Sequence, residues 1–201
     1  LSRGLGDVYK RQSLTDASGR PLRLLVLGGS LGSEALNSIL PELIVSTPSG
    51  SIQTLHQTGP RQFAQTLQRY QQLGQDTEKT HRVVAFIEEM GEAYQWADIV
   101  LCRSGASTVC EIAVAAKPAI FVPYPFHKDR QQLRNANWLH AAGAAEVVEQ
   151  HNLDVDRLMQ VLTRLLTDLG RLREMGLRAS KVAICDAHTR IADLCLEAAD
   201  G

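Results

Sequence analysis

Short apolar runs alternate with longer amphipathic stretches along most of the chain. Six of the runs have the length and composition of strands buried in a sheet. These strands are predicted at residues 22–27, 51–57, 83–86, 98–101, 119–122 and 145–148. The amphipathic stretches predict helices. The helices are predicted at residues 34–46, 61–73, 90–96, 107–116, 128–142, 154–166 and 172–197, the last one broken near Gly176 or Asp186.

Strands that alternate with helices in this way are typical of the α/β class, with a parallel sheet and right-handed crossovers. We therefore expect a Rossmann-like, doubly wound parallel sheet of about six strands. Residues 1–20 show neither helical nor strand periodicity, and we expect them to be a disordered or non-native tail. In such a sheet the carboxyl ends of the strands meet at one edge, and ligands bind there.

Composition excludes several classes of function. The 201 residues carry 21 Lys plus Arg and 22 Asp plus Glu, so no basic excess points to a nucleic-acid partner. No apolar run approaches the length of a membrane span. The four cysteines lack Cys-x-x-Cys spacing, and we expect neither a metal nor a cofactor. No catalytic triad or carboxylate pair is evident, so we expect no catalytic residue in this chain.

A glycine-rich turn follows the first predicted strand. Gly28, Gly29 and Ser30 stand where that strand meets a helix. Backbone amides at a helix N-terminus suit a phosphate, and glycine lets the backbone approach it closely. The pattern differs from the dinucleotide fingerprint and from the P-loop, which disfavours both kinds of site. A plain tight turn is equally compatible with it.

A second turn of small residues follows the fourth predicted strand. Ser104 and Gly105 offer amides to an anion, and Glu111 lies one helical turn further on. A carboxylate accepts hydrogen bonds at both oxygens, which suits the diol of a ribose. The same residues also fit a capping box from Thr108 to Glu111, and on spacing alone that interpretation is preferred.

A polar run, HKDRQQ at residues 127–132, follows the fifth predicted strand. The amides of Gln131 and Gln132 both donate and accept, as sugar hydroxyls require. A solvated helix start is the alternative, and His127 alone is more often a surface or capping residue than a catalyst. Ile87 ends an apolar run and is equally readable as core. Together these features predict a domain that binds a nucleotide sugar or a phosphate.

Four motifs resemble the C-terminal domain of the MurG family, in the same order and spacing. They are LVLGGSLGS at 25–33, FIEEM at 86–90, ADIVLCRSGASTVCE at 97–111 and HKDRQQ at 127–132. The resemblance extends over residues 23–196. Members of this family transfer N-acetylglucosamine from UDP-N-acetylglucosamine (UDP-GlcNAc) to lipid I, undecaprenyl-pyrophosphoryl-muramoyl pentapeptide. The product, lipid II, is the lipid-linked precursor of peptidoglycan.

The resemblance implies one half of a GT-B glycosyltransferase, inverting and independent of metal, and it implies the donor-binding half. It assigns contacts with UDP-GlcNAc to Ser30, Ile87, Ala106, Ser107, Thr108, Val109, Cys110, Glu111, Gln131 and Gln132. It assigns the phosphate loops to Gly28, Gly29, Ser104 and Gly105. Glu111 is thereby expected at the ribose, and Gln132 at the sugar. Ser33 replaces a usual alanine, and Ser107 replaces a larger apolar residue.

The family's N-terminal, acceptor-binding domain has no counterpart in these residues. We expect residues 21–185 to form the donor domain and residues 186–201 to form a helix that crosses to the N-terminal domain. Lipid I would bind through that missing domain. The same domain would attach the enzyme peripherally to the cytoplasmic side of the inner membrane, while the fragment itself is expected to be inactive. The alternative is a non-catalytic UDP-sugar-binding subunit that works with a separate, membrane-anchored acceptor half.

Overall fold

The computed structural model describes residues 20–29 and 31–199. Its strands are β1 Leu22–Leu27, β2 Ile52–Gln57, β3 His81–Val84, β4 Ile99–Cys102, β5 Ala119–Phe121 and β6 Ala145–Val147. Its helices are α1 Glu34–Ser46, α2 Phe63–Gln72, α3 Met90–Trp96, α4 Ala106–Val114, α5 Gln131–Ala141, α6 Val155–Leu166, α7 Leu169–Val182 and α8 Ala187–Ala199, with a 3₁₀ turn at Gln150–Asn152. The predictions for the tail at residues 1–19 and for Ser30 lie outside the described residues.

The six strands form one sheet in the order β3-β2-β1-β4-β5-β6, and every neighbouring pair is parallel. The predicted α/β class and doubly wound sheet are confirmed. The chain winds outward in one direction from β1 to β3, and then in the other direction from β4 to β6. The strand order therefore reverses between β1 and β4, where a crevice opens at the carboxyl edge of the sheet.

Helices cover both faces of the sheet, which explains why the central strands β1, β4 and β5 are mostly apolar. Side chains alternate along β1, so that Leu24 and Val26 face one layer while Leu25 and Leu27 face the other. The first layer packs against α1, α2 and α6. The second packs against α3, α4 and α5. Both cores include residues of β1 and β4, the two strands that border the crevice. The loops at the carboxyl edge therefore extend from well-packed strands.

The element boundaries differ from the predictions at several points. The third strand lies at His81–Val84, two residues earlier than predicted. The helix predicted from residue 128 begins at Gln131, after Arg130 adopts a left-handed conformation with φ of 52°. The long C-terminal segment breaks between Val182 and Ala187, near Asp186, and it does not break at Gly176.

Gly176 lies inside α7, at the point where this helix packs closely against the turn after α4. A Cβ atom at Gly176 would lie 2.5 Å from the carbonyl oxygen of Ala116, which is closer than real contacts allow. The glycine therefore allows the close approach of helix and turn.

We expect Gly176→Ala to lower the free energy of unfolding by about 1–3 kcal/mol, because the added methyl group forces α7 away from Ala116. Gly91→Ala in α3 is the matched control, since a Cβ there meets no atom within 4 Å. Alanine favours a helix more than glycine does, so the control should not be destabilised. Urea unfolding measures both variants, and equal stability would contradict the packing argument.

No helix within residues 20–29 and 31–199 combines the length and the apolar character needed to cross a membrane.

Candidate functional site

The loops after β1, β4 and β5 line one cavity at the carboxyl edge of the sheet. The cavity has a volume of about 780 Å³. β1 and β4 are neighbours there, with Leu27 paired to Cys102, so the two small-residue turns lie side by side. The predicted site residues that line this cavity are Gly28, Gly29, Gly105, Thr108 and Gln132.

The turn after β1 is shaped by contacts that only glycine permits. Gly32 has φ of 80°, and a Cβ atom on it would lie 2.2 Å from the carbonyl oxygen of Thr58. Ser33 then caps α1, and its Oγ accepts a hydrogen bond from the amide of Leu36 at 3.4 Å. Glu34 and Ala35, the first two residues of α1, line the cavity. Their amides lie at the positive end of the helix dipole.

The turn after β4 opens α4 without a side-chain cap. Gly105 is the N-cap residue, and no side chain among the described residues caps the first amides of the helix. The prediction of a capping box from Thr108 to Glu111 is therefore wrong, because Thr108 already lies inside the first turn of α4. The uncapped amides are free to bind an anion. Two helix N-termini thus meet at one cavity.

Glu111 lies in the middle of α4 with its carboxylate exposed. Tyr94 of α3 donates its phenolic hydrogen to Oε2 of Glu111 at 2.9 Å. Burial, and secondarily the Glu111 carboxylate, raise the pKa of Tyr94, so the phenol remains a donor. One oxygen of Glu111 is held in this way, and the other is left for a ligand. Glu111 and Cys110 line a neighbouring hollow of about 730 Å³ together with Met90.

Gln132, at the start of α5, ties two loops together. Its Oε1 accepts hydrogen bonds from the amides of Ser104 at 3.3 Å and Tyr124 at 3.0 Å. The hydroxyl of Ser104 donates to the main-chain oxygen of Gln132 at 2.8 Å. The Nε2 amide of Gln132 is therefore the group that remains to donate to a sugar. Ser104 is fully buried, and its amide and hydroxyl are both bonded to Gln132.

The remaining predicted residues lie outside the cavity. Val109 is buried in the core of the second layer, where its side chain cannot reach a ligand. Ala106, Ser107 and Gln131 are exposed at the first turns of α4 and α5. Ile87 packs partly against the core and lines a third hollow of about 440 Å³ after β3. These residues follow the same sheet edge without converging on the cavity.

Residues 23–191 match the family described as the glycosyltransferase family 28 C-terminal domain. The chain belongs to this family.

Two relatives of this family 28 chain bear the same name. It is 42% identical over 191 residues to the UDP-N-acetylglucosamine--N-acetylmuramyl-(pentapeptide) pyrophosphoryl-undecaprenol N-acetylglucosamine transferase of Shewanella sp. (strain MR-4), covering 94% of the chain and 51% of that relative. The protein of the same name from Halorhodospira halophila is 46% identical over 179 residues, covering 89% of this chain and 49% of that relative. The chain thus spans about half the length of the curated relatives it matches.

A solved structure supports the family 28 assignment. The crystal structure of Acinetobacter baumannii MurG superposes with a TM-score of 0.80 at 34% sequence identity. The superposition covers 96% of this chain and 53% of the MurG chain. The prediction of a MurG-type C-terminal domain is confirmed by these comparisons.

Sequence reasoning missed a cationic group at the family 28 cavity. The guanidinium of Arg103 donates to the carbonyl oxygen of Val122 at 2.9 Å and to Oε1 of Gln150 at 2.7 Å. It also lies 5.7 Å from the ring centre of Tyr124. Burial lowers the pKa of Arg103. Arg103 stands inside one of the family motifs, so its position in the β4 turn was a usable signal.

Proposed function

We propose that this chain is the donor-binding part of an inverting, metal-independent transferase that moves N-acetylglucosamine from UDP-GlcNAc to lipid I, forming lipid II. One observation carries the proposal. Two helix N-termini and Gln132 converge on one cavity, in a chain whose relatives bear the name of that transferase. A pyrophosphate needs such amides, and a sugar needs such a donor.

The diphosphate of the donor lies between the N-termini of α1 and α4. Their amides and dipoles compensate its charge, and they stabilise the additional charge that develops on the leaving UDP. Gly28 and Gly29 let the backbone approach it. Arg103 adds a positive charge at the wall of the cavity.

The two ends of the donor lie on either side of the phosphates. The ribose diol donates to Oε1 of Glu111, since Oε2 accepts from Tyr94. The uracil contacts the backbone at Ile87. The N-acetylglucosamine lies at Gln132 and Gln131, where Nε2 of Gln132 donates to the carbonyl oxygen of the acetamido group, which UDP-glucose lacks.

The acceptor half of the reaction belongs to another domain. Residues 21–185 hold the donor, and lipid I binds to an N-terminal domain that also attaches the enzyme to the cytoplasmic side of the inner membrane. Residues 186–201 cross towards that domain. Exposed apolar side chains on α8 support this role, since Ile191 is 61% and Leu196 is 65% exposed.

We expect the chain to bind UDP-GlcNAc more tightly than UDP-glucose, by about two- to tenfold, because one neutral hydrogen bond contributes about 0.5–1.5 kcal/mol. Isothermal titration calorimetry measures both affinities, and Gln132→Ala should reduce the difference. Affinity for UDP-GlcNAc should be unchanged in EDTA. Equal affinity for the two sugars would contradict the sugar assignment. Failure to bind either one would contradict the proposal itself.

A further inference from the structure

A line of buried polar side chains runs beneath the phosphate turn. It joins Asn37 of α1, His56 of β2 and Tyr70 of α2, none of which any assigned function uses. His56 and Tyr70 are 0% exposed, and Asn37 is 6% exposed. Buried polar groups of this kind are retained only with hydrogen-bond partners.

The bonds along the line allow a single assignment of donors and acceptors. Nδ2 of Asn37 donates to the carbonyl oxygen of Thr58 at 3.0 Å and also to Gln62. Oδ1 of Asn37 must then accept from Nε2 of His56, which lies 3.0 Å away. Nδ1 of His56 in turn accepts from the hydroxyl of Tyr70 at 3.1 Å. His56 is thus a neutral imidazole that fixes the orientation of the Asn37 amide.

Thr58, the far partner of Asn37, supports the phosphate turn directly. Its carbonyl oxygen lies against Gly32, where even a methyl group would not fit. The next residue, Gly59, is equally close, since a Cβ atom on it would lie 2.6 Å from the amide nitrogen of Gly32. Gln57, just before Thr58, donates from Nε2 to the carbonyl oxygen of Gly29 at 3.2 Å. The turn therefore rests on the end of β2.

Asn37 also holds the other side of the turn. Its own amide donates to the carbonyl oxygen of Ser33 at 2.8 Å, which is the first helical bond of α1. One residue therefore connects the N-terminus of α1 with the end of β2, and the turn formed by residues 28–29 and 31–33 lies between them. If the side chain of Asn37 were lost, Thr58 could shift, and the amides of the turn would shift with it.

We propose that Asn37, oriented by His56, is a positioning residue for the phosphate turn formed by residues 28–29 and 31–33. The inference rests on the proposed function, because it assumes that the turn binds the diphosphate of a nucleotide. Asn37 does not touch the ligand. It fixes the distance between the end of β2 and the start of α1, so that the amides of the turn are preorganised for the diphosphate.

Comparison of UDP with uridine separates positioning from a purely structural role. Both ligands contain the uracil and the ribose, but only UDP reaches the phosphate turn. We expect Asn37→Ala to weaken UDP binding by about tenfold while leaving uridine binding within about twofold. Calorimetry measures the affinity for UDP, and an NMR titration measures that for uridine. Asn37→Ser, whose short hydroxyl cannot reach Thr58 and His56 together, replaces Asn37→Ala if that variant does not fold.

Ser51→Ala is the matched control, because it removes a buried hydrogen bond at the opposite end of β2 from Thr58. Ser51 is 3% exposed, and its hydroxyl donates to the carbonyl oxygen of Pro48 at 2.6 Å. The control should lose stability and keep the ratio of UDP to uridine affinity. An unchanged ratio in the Asn37 variants would overturn the inference, as would an equal change in Ser51→Ala. If the unaltered chain binds UDP no more tightly than uridine, the proposed function fails as well.

Discussion

Glu111→Ala is expected to weaken the binding of UDP by about ten- to hundredfold, because a hydrogen bond to a charged group contributes about 1.5–3 kcal/mol. A hydrogen bond from Tyr94 positions the Glu111 carboxylate for contact with the ribose. Tyr94 donates to Oε2 at 2.9 Å, which leaves Oε1 to accept from the ribose diol. The exposed position of Glu111 means that its removal leaves no cavity in the core. Calorimetric titration with UDP measures the loss.

Two further variants separate the contact from a general effect of charge. Asp156→Ala removes an exposed carboxylate from the first turn of α6, and it should leave the affinity for UDP unchanged. Tyr94→Phe keeps the Glu111 carboxylate but removes its hydrogen-bond donor, so a smaller loss is expected. Thermal unfolding shows whether each variant is folded. A folded Glu111→Ala variant with unchanged affinity would show that the carboxylate does not contact the ribose.

The fold could be predicted because its strands are buried on both faces. A nearly continuous apolar run such as Leu22–Leu27 is compatible with few other structures when a helix follows it, and β1 has the predicted bounds. Helix α3 is also correct to the residue, at Met90–Trp96. Alternation of strand and helix then leaves a parallel sheet as the simplest arrangement.

The predicted position of β3 was two residues too late, because hydrophobicity is an incomplete guide to burial. His81 is 7% exposed and contacts the hydroxyl of Thr54, although its polarity suggests a loop. Phe86 was counted in the strand, yet it is 62% exposed after the strand has ended. A pattern of apolar residues could not identify either, because both depend on partners in other elements.

The candidate site could be located from the sequence but not assembled from it. Strand-to-helix turns at Gly28 and Gly105 are local features of the sequence. Their positions along the chain were sufficient to locate the site at the carboxyl edge of the sheet. The bond from Arg103 to Gln150 joins residues 47 positions apart, and that from Ser104 to Gln132 joins residues 28 positions apart. Such contacts depend on how β5 and β6 extend the sheet beside β4. Spacing along the chain carries no information about them.

The free energy of unfolding is expected to fall by about 3 kcal/mol between pH 6.5 and 4 because of His56 alone. Burial lowers the pKa of His56 from 6.5 to about 3. Below pH 6.5 the unfolded chain therefore binds a proton that the folded chain does not bind. This stabilising contribution is complete above pH 6.5 and is lost as the pH falls towards 3. Urea unfolding at a series of pH values measures it.

Burial of His56 explains why the folded protein resists the proton. Nδ1 accepts from Tyr70, so a proton on Nδ1 would also require the Tyr70 hydroxyl to turn from donor to acceptor. His81 adds to the effect in the same direction, because burial lowers its pKa to about 4. Asp76 opposes that shift, since its charge favours the protonated imidazole.

His56→Gln tests the assignment through the slope of stability against pH. The variant should be less stable than the unaltered chain at neutral pH, because Asn37 and Tyr70 lose their common partner. Its stability should nevertheless fall less steeply below pH 6.5, since glutamine takes up no proton. His151→Gln, at an exposed histidine, is the matched control and should leave the curve in place. If His56→Gln lost stability as steeply as the unaltered chain, the proton uptake would have to belong to other groups.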